Sequence, residues 1–93
     1  MTTKNQKALS QETYATVIKS HIKATATLDQ IATIDTMIEL FEQRLQTQEY
    51  KKSDFVNKKE WVKDLTNRIE AYKQVKAEIR AERIEEILAR KEQ

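Results

Sequence analysis

Ninety-three residues, 34 % of them charged and 39 % hydrophobic, with a net charge of +2 and no glycine, proline or cysteine, describe one small domain built from helices. With no glycine the chain lacks the residue of positive-φ turns, of phosphate-cradling loops and of nucleophile elbows, and with no proline it lacks the commonest helix stop. The absence of cysteine excludes disulfide frameworks and thiolate-metal sites.

The first residues, Met1 to Lys7, carry no apolar core of a signal peptide, and no stretch approaches the ~20 apolar residues of a membrane span. A soluble, cytoplasmic chain is expected, with residues 1–9 a flexible tail. From Tyr14 to Leu45 the apolar positions Tyr14, Val17, Ile18, Ala24, Leu28, Ile31, Ile34, Ile38, Phe41 and Leu45 follow helical spacing, which predicts a helix over about residues 10–48. Thr25, Thr27, Thr33 and Thr36 weaken a helix, and Thr27 to Gln30 has the spacing of a capping box, so a break near Ala26 is the alternative. It would give a three-helix bundle in place of one long antiparallel hairpin.

The periodicity lapses over residues 49–57, where Ser53, Asp54 and Asn57 gather, and this stretch is predicted to connect two helices. Asn57 opens the next helix. Glu60 can bond back to its amide, and Val56 and Trp61 can pack together as a hydrophobic staple. That helix is predicted over about residues 58–90, from Trp61, Val62, Leu65, Ile69, Tyr72, Val75, Ile79, Ile84, Ile87 and Leu88. Its length of roughly 50 Å exceeds what a compact domain of this size requires. The whole of 10–93 is expected to form a single all-α domain.

The apolar stripe is wider than one hairpin covers. Ile18 and Ile22 fall to one side of the line through Leu28, Ile31 and Ile38, while Ala77, Ala81, Ile84 and Leu88 form a second line, rotated away from Leu65, Tyr72 and Ile79. Two lines on one helix predict two packing partners, so Ile18, Ile22, Ala77, Ala81, Ile84 and Leu88 are the expected oligomer interface of a dimeric four-helix arrangement. At this size roughly two-thirds or less of the unfolded surface can be hidden, which also favours a second copy or another protein as cover.

Few residues offer chemistry. His21 lies on the stripe with Val17 and Thr25 one turn away, so it lacks metal-ligand partners and is expected to be structural. Asp35 and Glu42 near the stripe are expected to set register in helix packing, and the alternating glutamates and arginines after Glu78 to form a solvated face. No catalytic, cofactor-binding or metal-binding residue is predicted, and no small-molecule substrate is implied.

The connection stands out by charge. Lys51, Lys52, Lys58, Lys59 and Lys63 interleave with Tyr50, Phe55 and Trp61, and residues 50–63 alone carry a net +3. Lysines with aromatics bind phosphate backbones and stack on bases, but they also simply close and solubilise the end of a bundle. Lys51, Lys52, Phe55, Lys58, Lys59, Trp61 and Lys63 are therefore the candidate contacts for nucleic acid or for a protein partner.

In outline the chain resembles two kinds of small helical hairpin, secreted hairpins with a Trp-x-Gly turn and hairpin dimers that bind plasmid RNA. Trp61 here begins a helix and no glycine follows it, and the second likeness covers topology and composition alone, so neither transfers a residue role. Three functions remain from the sequence: a non-enzymatic interaction module acting as adaptor, inhibitor or regulatory subunit, of the sort compact bacterial or mobile-element genes encode; a nucleic-acid-binding homodimer; and a secreted hairpin.

Overall fold

The computed structural model describes residues 6–22, 27–47 and 49–91, and of residues 27 and 28 the backbone only. It is all-helical, with α1 over Gln11–Ile22, α2 over Thr27–Arg44, a 3-10 turn over Glu49–Lys52 and α3 over Lys58–Lys91. The starts of α1 and α3 have a local cause. The Ser10 hydroxyl accepts from the Thr13 amide at 3.2 Å, and the Asn57 side-chain oxygen accepts from the Glu60 amide at 2.9 Å, so both serve as N-caps. Glu60 does not close the capping box; its carboxylate accepts instead from the amide of Ala8 at 3.1 Å. Val56 stays exposed, and Trp61 packs on Tyr50 and the core below it.

The single helix expected over residues 10–48 is two helices, and both pack on α3. The reason is visible in the core. Ile18 of α1 and Ile34 of α2 sit in one cluster with Ala15, Ala71 and Val75. Sixteen residues along a straight helix would hold them about 24 Å apart, so the chain must fold back between them. Ala24, Ala26 and the side chain of Leu28, which carry the apolar line across this point, lie outside the described residues. The Gln30 amide donates to the Ile22 carbonyl at 2.9 Å and satisfies one of the unpaired acceptors at the end of α1.

A second cluster, Phe41, Trp61, Leu65 and Ile69, fills the end nearest the connection, and Ile38 and Tyr72 pack against both. Ion pairs tie the far end: Lys19 to Glu78 and Lys76 to Asp35, each at 2.5 Å. Asp35 thus joins α2 to α3, while Glu42 is exposed.

Residues 6–9 are no loose tail. Gln6 and Phe55 form an isolated parallel bridge, the Leu9 amide donates to Asp64, and the Asn67 side chain donates to the Leu9 carbonyl at 2.8 Å. The rest of the expected tail, residues 1–5, lies outside the described residues. The molecule measures 62 × 21 × 20 Å, because α3 alone runs about 50 Å and outreaches its neighbours.

Candidate functional site

The last turns of α3 leave the bundle. Val75 is the final buried residue and Ile79 the final partly buried one that packs on the core; from Arg80 to Lys91 every residue is exposed. This projecting tip spans about three turns. It carries Ile84, Ile87 and Leu88, exposed by 57 %, 44 % and 53 %. Ile84 lies nine residues beyond Val75, which at about 100° per residue places it on the opposite side of the helix from the core. Ala77, Ala81 and Leu88 fall close to the same line and are exposed too.

The expected interface therefore divides. Ile18 is buried inside the bundle's own core and Ile22 packs against it, so Ile18 is not available to another chain. The expectation fails at the α1 end of the stripe because the fold-back of α2, invisible in the periodicity, supplies its cover. Ala77, Ala81, Ile84 and Leu88 remain as an open face.

The connection also divides. Lys51 and Lys52 lie on the 3-10 turn, Lys58, Lys59 and Lys63 on the first turns of α3, and all five are exposed. The Lys58 ammonium sits 5.3 Å from the centre of the Tyr50 ring. The aromatics behave otherwise. Trp61 is 3 % exposed, packed in the lower core with its ring centre 5.9 Å from that of Tyr50 and the two rings tilted by 55°, and Phe55 is half-buried against the same cluster. A base has no open indole face to stack on.

An apolar groove of about 370 Å³ runs between α1 and α2, lined by Tyr14, Val17, Met37, Phe41 and Tyr72 among others, with the exposed His21 on its rim. The Arg68 guanidinium forms part of its floor, 4.7 Å from the centre of the Tyr14 ring.

Beneath the groove lies the residue that sequence reasoning missed. Asp64 is fully buried, and one carboxylate oxygen accepts from the Leu9 amide at 3.2 Å and from the Tyr14 hydroxyl, while the other accepts from Arg68 at 2.8 Å. Burial, aided by the bond to Asp64, pushes the Tyr14 phenol up to about 12. A usable signal existed: Asp64 falls three residues after Trp61 and four before Arg68, on the core stripe, where an acid must be paired. Its partners are all accounted for within the fold, and it serves to lock the N-terminal segment and α1 onto α3.

Among the described residues no helix is long and apolar enough to cross a membrane, and no three His, Asp or Glu side chains gather as metal ligands. Compared with protein-family models, with curated proteins and with solved structures, the chain matches none.

Proposed function

We propose that this chain is a non-enzymatic protein–protein interaction module, acting as an adaptor, inhibitor or regulatory subunit, and that the tip of α3 is its contact surface. The observation that carries this reading is the exposure of Ile84 and Leu88 on three helical turns beyond the bundle. A contiguous exposed apolar patch, unlike apolar side chains scattered singly, marks a binding surface, and Ile84, Ile87 and Leu88 are neighbours on one side of the helix. The chemistry of that face fits a protein offering an amphipathic helix, since the anchors at 84, 87 and 88 recur at the i, i+3, i+4 spacing of helix-against-helix recognition.

The test compares the chain with its Ile84→Glu, Leu88→Glu variant, both purified and both checked for an unchanged helical spectrum. A binding protein recovered with the first and reconstituted from pure components should lose roughly 100-fold or more in affinity for the second, because a charge would enter a desolvated contact. Equal affinity of the two forms for that protein removes the tip from the interaction and ends the reading.

The five exposed lysines at the opposite end support a second reading, phosphate binding by charge alone. Replacing Lys51, Lys52, Lys58, Lys59 and Lys63 together would then weaken binding to DNA or RNA. The log–log salt slope would become shallower by about 0.7–0.9 for each phosphate no longer neutralised, with Trp61 fluorescence unmoved throughout.

A further inference from the structure

The line Ala77, Ala81, Ile84, Leu88 advances by four, three and four residues, the spacing of a coiled-coil seam. Ala77 and Ile84 take d positions, Ala81 and Leu88 take a positions, Arg80 and Ile87 flank them at g, and Glu78 and Glu85 at e. Traced back along α3, the same seam passes through Gln74, Glu70, Asn67 and Lys63, all polar. The apolar part is thus confined to the tip and the turn before it, and it faces away from the bundle core.

We infer that the occupant of the tip is the tip of a second copy of this chain, docked parallel and in register. The inference rests on the tip being a contact surface, and charge sets the direction. In a parallel pair the g position of one helix meets the e position five residues later on the other, so Arg80 lies beside the partner's Glu85, and the two-fold axis repeats the attraction. In an antiparallel pair built on the same four layers, e meets e. Glu78 would then oppose the partner's Glu85 twice, with no attraction in return, although Glu78 is already engaged by Lys19 within the bundle. A parallel pair also lets the helices diverge above Gln74, where continued contact would set Glu70 against the partner's Glu70 and Lys63 against the partner's Lys63. Because the bundle cores lie on the faces turned away from the seam, the pair forms without disturbing either. Leucine at a with isoleucine at d shifts the preference of such a seam toward a third or fourth helix, and a mass of three or four chains carries the same parallel contact.

Light scattering on the full chain at about 100 μM, well above a micromolar dissociation constant, should give at least twice the 11.0 kDa of one chain. Glu85→Arg should weaken association about tenfold, since both attractions become repulsions, and adding Arg80→Glu should restore it. Stronger association of Glu85→Arg alone would mean that the introduced guanidinium meets the partner's Glu78, an antiparallel pair, and would overturn the inference. The chain has no native thiol, so Ala77→Cys gives an independent readout: in a parallel pair the two thiols adjoin and oxidise to a disulfide. In the antiparallel pair they stand eleven residues apart in register, about 16 Å, beyond the reach of an S–S bond. All three sites are exposed, so the variants keep the bundle. A monomer at this concentration overturns the inference but leaves the interaction-module reading intact, which fails only if the Ile84→Glu, Leu88→Glu variant binds its partner unchanged.

Discussion

Two stretches of one helix obey different rules. From Trp61 to Val75, α3 contributes six buried residues and is held from both sides by α1 and α2; from Arg80 to Lys91 it contributes none. Both are equally helical. The tip keeps its geometry through good helix formers and through continuity with a helix already nucleated, since a free segment of about twelve residues would be marginal in water. Helical form and packing stability are thus separate properties of this chain, and only the first extends to the end of α3.

The sharpest way to break that contrast is to truncate matching side chains in the two zones. Ile69→Ala, in the buried stretch of α3, should cost about 3–4 kcal/mol by urea unfolding, whereas Ile84→Ala in dilute solution should change stability by less than about 0.5 kcal/mol. Equal costs would show that the tip is packed after all. Amide hydrogen exchange in dilute solution, below the concentration at which the tips pair, offers the same contrast without mutation, with strong protection over residues 65–75 and little over 82–91.

Asp64 comes next. Asp64→Ala leaves the Arg68 guanidinium half-buried without its counter-ion and removes the acceptor for Leu9 and Tyr14, for an expected loss of about 3 kcal/mol. A loss under about 0.5 kcal/mol, the usual size for exposed sites, would sink the view that this carboxylate locks the N-terminal segment down.

Alkali probes the same lock. The folded Tyr14 phenol titrates above its ordinary value of 10.0, at about 12, so its contribution is complete below pH 10.0 and disappears as pH rises through about 12. Burial raises Tyr72 in the same direction. Ultraviolet titration should show these phenols ionising late and together with unfolding, and Asp64→Asn should bring Tyr14 back toward 10.0. Ionisation of Tyr14 and Tyr72 at the ordinary value in the folded chain would contradict the burial described here.

The smallest effect belongs to Glu78. Lys19 holds its carboxyl below the ordinary 4.5, so the pair stabilises the fold above that pH and the contribution fades as pH falls below it. Both groups are substantially exposed, and Lys19→Ala should cost only a few tenths of a kcal/mol at neutral pH and nothing in acid.

Much of this was legible from the residues alone, and the failures share a cause. Helical periodicity, the Asn57 cap and the open Ala77–Leu88 line are local or one-dimensional features, and they survive in three dimensions. The fold-back before α2 is only half such a feature: the Thr27 to Gln30 spacing offers a break near Ala26, but no glycine or proline enforces it, and it follows from Ile18 and Ile34 both needing the same patch of α3. The docking of Gln6 to Leu9 was hidden, because a polar segment held by backbone hydrogen bonds has no apolar signature. Trp61 admits two readings from sequence, as an aromatic among lysines has the same spacing whether it faces a nucleobase or a core, and its burial agrees with the bundle-closing one.

Because α3 is one uninterrupted helix, the packing of Trp61 and Leu65 at its start sets the compass bearing of Ile84 and Leu88 at its end. One alanine inserted after Lys76 would leave most of the bundle contacts in place yet swing the tip by about 100° and advance it by about 1.5 Å. Four inserted residues would nearly bring the bearing back, about 40° off, while moving the tip outward by about 6 Å. The helix therefore works as a keyed shaft, and any partner that engages the tip is held at a set rotation relative to the lysine end.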